Sequence, residues 1–235
     1  MDINILKIQD FNKVNINKLK NYISKEKGEK INKFYKIEDK VRGLYGELLI
    51  RKMIIEKLNI KNKDIVFKSS KYGKPYLEGF ENLFFNISHS GNYVICSLDY
   101  NPVGIDIEKI ASINVEDIVK SSFTFKEQNY ILKEYKLEER TKRFYEIWTL
   151  KESFIKCVGK GLYMPLDSFS IYVNEKNKVI LEHNKNRNKY SLKRIEIDEE
   201  YKMGVCSENS NLDLKIKYIS LEKINNFFMN INKII

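Results

Sequence analysis

The chain of 235 residues, 43% hydrophobic and 12% aromatic, carries enough apolar side chains to bury a core, which excludes a disordered polymer. Its 42 basic against 32 acidic residues leave a formal charge of +10, which favours phosphate-bearing ligands, nucleic acid or an acidic protein partner without choosing among them. Cys96, Cys157 and Cys206 are odd in number, far apart and without C-x-x-C spacing, so they read as reduced, buried thiols rather than as zinc or redox chemistry.

The opening MDINILKIQDFNK has neither a charged-then-apolar leader pattern nor a span long enough for a bilayer, and implies a cytoplasmic protein with no membrane contact. No internal repeat, low-complexity tract or Gly/Ser linker stands out. A short helix is expected near Glu26 to Tyr35. From Asp39 to Leu58, apolar residues at Val41, Leu44, Tyr45, Leu48, Leu49, Met53, Ile54 and Leu58 follow a helical period with one buried stripe. The runs IVF, LFFNIS, YVICSLD and VGIDIE then read as strands, separated by turns at Tyr72-Gly73-Lys74-Pro75, Ser90-Gly91-Asn92 and Asn101-Pro102. Thr124 followed by Glu127 fits a capping box, and a second long helix is expected from about Glu139 to Val158, stopping at Gly159. FSIYV, KVILE, YSLKRIEI, KMGVCS and LKIKYIS read as a run of antiparallel strands before a helical tail from Leu221. The fold class is therefore α+β in two similar lobes, residues 1–102 and 103–235, and clefts between lobes are common ligand sites.

In "PVGIDIEKI", Asp106 and Glu108 alternate with Ile105 and Ile107, so an extended chain puts both acids on one face with Cα atoms about 6.5 Å apart. The plain reading is a half-solvated strand with its acids in water. On the helix FYEIWTLKESFIKCVGKGL, Trp148, Glu152 and Lys156 are spaced by four and share a stripe, where the plain reading is an ordinary Glu-Lys pair. Taken together, three carboxylates without a His or Cys cluster make a hard oxygen site suited to Mg2+ and a phosphate-bearing substrate. "NISHSGNY" supplies Ser88, His89 and Ser90 at a strand end before a glycine turn, where side chains and backbone N–H groups can hold an anion. Lys27, Lys30, Arg42 and Lys74 add positive charge, each alone an ordinary surface cation.

"YGKP", "FNISHSG", "GIDIEK" and "WTLKESFIKCVGKGL", in this order and spacing, resemble the Sfp-type 4'-phosphopantetheinyl transferases, and the likeness runs from about Tyr22 to Cys206. The resemblance implies transfer of the phosphopantetheine arm of coenzyme A to a serine of an apo acyl or peptidyl carrier protein, releasing adenosine 3',5'-bisphosphate. It implies Mg2+ ligands at Asp106, Glu108 and Glu152, with Glu152 also the candidate base. By the same likeness Lys156 holds a pyrophosphate oxygen, Lys27, Lys30, Arg42, Ser88 and His89 surround the 3'-phosphate, Lys74 and Pro75 border the adenine, and Lys151 joins the coenzyme A contacts. Both lobes in one chain, with the site in the cleft between them, imply a monomer, often serving peptide or polyketide synthases. Gly28 within the basic stretch and the divergent region from Ile110 to Arg140, where the family meets its carrier, depart from the pattern.

Two other classes compete. A metal-dependent nuclease would also pair an Asp with a Glu-x-Lys, but DIEK sets its acids only two residues apart. A basic binding module would bind any polyanion with steep salt dependence and would ignore Glu152→Gln.

Overall fold

The computed structural model describes residues 1–183 and 189–231. The chain divides into two units, one built from residues 1–68, 75–100 and the segment from Leu214 onward, the other from residues 69–74 and 101–213.

In the first unit the apolar opening is a strand, β1 (Asp2–Lys7), with Ile3, Ile5 and Leu6 fully buried. A single turn, α1 (Ile16–Leu19), leads to α2 (Lys25–Asn32), where the Ser24 side chain accepts from Lys27 N. The helix stops short of the expected Tyr35 because Phe34 turns back over Gly43 of α3 (Ile37–Leu58), 3.4 Å from where a Cβ would stand. The stripe Val41, Leu44, Leu48 and Leu49 of α3 is buried as its period requires, and Asn59 closes the helix with a φ of 54°. A ribbon of β2 (Phe67–Ser69) and β3 (Pro75–Leu77) precedes the hairpin of β4 (Phe84–Ser90) and β5 (Tyr93–Asp99), turned by Gly91 at φ 52°.

The second unit begins with β6 (Val103–Lys109), followed by α4 (Val115–Ser122) and α5 (Phe125–Leu132). Thr124 and Glu127 form the expected capping box of α5. The long helix α6 (Leu137–Val158) ends at Gly159, whose φ of 78° is left-handed. The ribbon β7 (Ser170–Val173) and β8 (Val179–Glu182), then β9 (Ser191–Arg194) and β10 (Tyr201–Ser207), complete the unit, and the antiparallel sheet runs β6-β10-β9.

Two expectations are corrected. The last strand, β11 (Lys215–Tyr218), does not extend the second unit's antiparallel run but pairs parallel with β1, giving the first unit the order β11-β1-β5-β4. The helix α7 (Leu221–Asn230) follows it, burying Ile224 and Phe228 in the first core, because the open edge of β1 and the apolar groove beside it are complete only with these residues. Residues 214 onward therefore belong with the first lobe, not with 103–235. There is also an internal repeat. An eight-residue helix, then a 22-residue helix closed by a left-handed residue, occurs at α2–α3 and again at α5–α6, and the strand order β1-β5-β4 is matched by β6-β10-β9. Among the described residues no helix is long and apolar enough to cross a membrane.

Candidate active site

Two glycines decide where the acids of β6 point. A Cβ on Gly104 would fall inside the backbone of Ser153 on α6, and one on Gly204, the cross-strand partner of Asp106, would stand 2.6 Å from Thr149 O. Strand alternation puts Gly104, Asp106 and Glu108 on that same face, so α6 lies directly on the acid-bearing side of β6. The face is not wetted: Asp106 is only 3% exposed, while Ile105 and Ile107 on the other face are fully buried.

On α6, Glu152 and Lys156 lie one turn apart. Lys156 Nζ donates to Asp106 Oδ1 at 2.6 Å and to Ile105 O at 3.4 Å. Burial, and after it the charge of Asp106, pushes the Glu152 carboxyl above its usual range, while Lys156 pulls it down. Asp106, Glu152 and Lys156 are thus gathered into one group with two carboxylates and a single ammonium. Glu108 is half-buried further along the strand, in register with Lys202. Trp148 packs within the helix layer, its ring 5.8 Å from Phe144 and 6.3 Å from Phe123.

The donor set fits a hard divalent cation. It is all carboxylate oxygen, and Glu152, held above its usual range first by burial and then by the charge of Asp106, is a group whose charged form a cation would favour. No three His, Cys, Asp or Glu side chains among the described residues are gathered closely enough to cage an ion. Mg2+ does not need that, since it retains waters and accepts one or two carboxylates together with substrate phosphates.

Two lysines expected to face coenzyme A turn inward instead. Lys151 is fully buried, its ammonium on Glu127, itself fully buried, and 2.9 Å from Phe169 O. Glu127 also accepts from Thr124 N and Ile171 N, so the pair joins α5, α6 and β7; a lysine with no water to reach takes the one buried carboxylate available. Lys74 Nζ donates to Val103 O at 3.1 Å and Cys157 O at 3.0 Å, and burial lowers its pKa.

The other expected residues belong to the first unit. Arg42 on α3 donates to Gly91 O at 2.7 Å and Asp39 Oδ1 at 2.6 Å, tying the helix to the hairpin turn just beyond Ser88 and the exposed His89. Lys27 and Lys30 lie on α2, with the Lys30 ammonium 2.7 Å from Glu26 on the surface, and Pro75 is exposed at the start of β3. Sequence reading missed Gly104 and Gly204. Each is a lone glycine inside an apolar strand pattern, a signal of close backbone approach.

Comparison with known proteins identifies the family. A family model described as "4'-phosphopantetheinyl transferase superfamily" matches residues 102–206, and one described as "4'-phosphopantetheinyl transferase, N-terminal" matches residues 12–100. The 4'-phosphopantetheinyl transferase Sfp of Bacillus subtilis (strain 168) is 41% identical over 86% of this chain and 90% of its own length. The 4'-phosphopantetheinyl transferase gsp of Aneurinibacillus migulanus is 39% identical over 91% of this chain and 88% of its own. Among solved structures, a holo-(acyl-carrier-protein) synthase from Bacillus anthracis str. Ames in complex with CoA (3',5'-ADP) aligns at 18% identity and a TM-score of 0.38 over 45% of this chain and 93% of that one. With two relatives near 40% identity along most of its length, the chain belongs to the Sfp-type 4'-phosphopantetheinyl transferases and is a transferase enzyme.

Proposed function

We propose that this transferase moves the 4'-phosphopantetheine group of coenzyme A onto a serine hydroxyl of an apo acyl or peptidyl carrier protein, with Mg2+ as cofactor. The serine oxygen forms the new bond to the phosphorus that carries pantetheine. The bond from that phosphorus to the bridging oxygen breaks, and adenosine 3',5'-bisphosphate leaves.

The observation that carries this reading is the group of Asp106 on β6 with Glu152 and Lys156 on α6. Asp106, Glu108 and Glu152 would hold the Mg2+, directly or through its retained waters, and the ion would neutralise charge on the pyrophosphate and polarise the phosphorus. Glu152, whose proton affinity burial and Asp106 have raised, accepts the serine proton directly or through water. Lys156 balances Asp106 and donates to a pyrophosphate oxygen when substrate binds. Lys27, Lys30, Arg42, Ser88 and His89 receive the 3'-phosphate, and Pro75 borders the adenine. The formal charge of +10 speeds encounter with an acidic carrier and makes it sensitive to salt. The enzyme works as a cytoplasmic monomer and serves peptide or polyketide synthases.

Intact-protein mass spectrometry of an apo carrier incubated with the enzyme, coenzyme A and Mg2+ tests this, with EDTA as control. A gain of one phosphopantetheinyl group that EDTA abolishes is expected. No gain on either an acyl or a peptidyl carrier refutes the activity, and a gain that survives EDTA refutes the metal.

A further inference from the structure

We propose that Lys74 is a positioning residue whose ammonium locks the two elements carrying the acids into register. The inference rests on the transferase reading above.

Lys74 is presented by a tight turn. Ser70 Oγ accepts from Tyr72 N and Lys74 N, Gly73 N donates to Ser70 O at 2.9 Å, and Gly73 takes a φ of 83°. The Tyr72 ring rests 5.3 Å from that of Tyr163, steadying the turn against the segment that follows α6. The lysine stem then crosses Gly159, its Cδ 2.9 Å from where a Cβ would stand, so a side chain there would push the stem aside as well as strain a backbone at φ 78°. At its end the ammonium bridges two backbones. Cys157 O is one of the last carbonyls of α6, which have no partner inside the helix and carry the negative end of its dipole. Val103 O opens β6, three residues before Asp106.

The bridge lies on a seam made of several contacts. Cys157 Sγ donates to Pro102 O at 3.1 Å, Gly104 lets the Ser153 backbone touch β6, and Lys156 joins Asp106. Along this seam the spacing between Asp106 on the strand and Glu152 on the helix is set, and catalysis by positioned charges loses as much as about a hundredfold for a displacement near 1 Å. Lys74 is the cation that closes the seam at its C-terminal end, where a helix otherwise frays. Its effect should therefore fall on turnover and not on the affinity for coenzyme A.

The test compares wild type with Lys74→Met, Lys74→Arg and Gly159→Ala, the last of which pushes the stem aside. Wild-type transfer is measured first, because its absence would overturn the transferase reading and not the bridge. For Lys74→Met and Gly159→Ala we expect kcat to fall by about tenfold to a hundredfold with little change in KM for coenzyme A. Calorimetric affinity for coenzyme A without metal should hold within about twofold, and amide exchange in the last turn of α6 and the start of β6 should accelerate. Lys74→Arg, which keeps a cation for the carbonyls, should recover most of the turnover. A loss of coenzyme A affinity with kcat preserved at saturation would overturn the proposal, as would unchanged kcat or unchanged exchange. Should Lys74→Met fail to fold, Lys74→Arg and Gly159→Ala carry the same contrast.

Discussion

The first unit and the second share a plan yet differ in what their matching elements carry. Where β6 and its extension read Ile105-Asp106-Ile107-Glu108-Lys109-Ile110, β1 reads Ile3-Asn4-Ile5-Leu6-Lys7-Ile8. About a hundred residues before Glu152 and Lys156 of α6, α3 carries Lys52 and Glu56 with the charges reversed. Those two pair with each other on their own helix, Lys52 buried with its ammonium 4.9 Å from the Phe227 ring of α7 and Glu56 exposed, while the position on β1 that matches Asp106 holds neutral Asn4. At this position the first unit pairs its two charges with each other. The second places an acid on the strand and another on the helix beside Lys156, the group that would meet Mg2+ and the pyrophosphate under the proposed function.

The widest difference concerns glycine. Gly104→Ala or Gly204→Ala would drive a methyl into helix backbone that cannot yield, costing about 3 kcal/mol or more and leaving little folded protein in urea titrations. Gly46→Ala in α3 would meet the side chains of Ile87 at 3.1 Å and Val94 at 3.9 Å, and the gain in helix propensity should hold the change within about 1 kcal/mol. An equal loss at all three positions would break the contrast. Turnover comes next. Asp106→Asn and Glu152→Gln should each lose about a thousandfold in transfer with unchanged circular dichroism, whereas Glu56→Gln in the first unit should stay within about twofold.

The buried ion pairs sharpen the comparison at smaller scale. Lys151→Met leaves the Glu127 charge buried among α5, α6 and β7 and should cost about 3–5 kcal/mol, and replacing both residues by apolar ones of similar volume should recover most of it. The smallest effect is alkaline. Burial pushes Tyr45 up to about 12, and its hydroxyl donates to Asn225 Oδ1 at 2.8 Å. Its folded pKa is raised, so the stability it lends is full below about pH 10, where the unfolded tyrosine begins to ionise, and is lost as the pH climbs towards 12. Tyr45→Phe should be less stable by about 1 kcal/mol at pH 8, and that gap should narrow in urea melts above pH 10. A constant gap would mean that the hydroxyl ionises freely.

What could be read in the chain followed from local rules. The period of α3 and α6, the Thr124–Glu127 box, the stop at Gly159 and the alternation of β6 all depend on neighbours within a turn or two. Asp106 with Glu108 on β6, and Glu152 with Lys156 on α6, stood out because the spacing within each pair is local. The side of β6 that meets α6 did not, since it depends on Gly204, almost a hundred residues later, as much as on Gly104. Lys74 and Lys151 look like surface cations in a string of letters; their carbonyl and carboxylate partners come from elements brought together only by packing. The repeat stayed hidden because it is one of length and burial, with Asn4 opposite Asp106 and Lys52 opposite Glu152 breaking any match of residues.

The pairing of β1 with β11 has a consequence for how the molecule is made. Asp2 is made before any of the second unit, yet the Lys215 it aligns with is polymerised after the whole of it. Until then one edge of β1 has open backbone donors and acceptors, and the groove that Ile224 and Phe228 fill stays uncovered. The unit translated first is therefore the last to be finished, while the second can close around a nearly continuous stretch of chain as it emerges. During synthesis the acid site is in place before the half of the protein that carries Lys27, Arg42 and His89 has been completed.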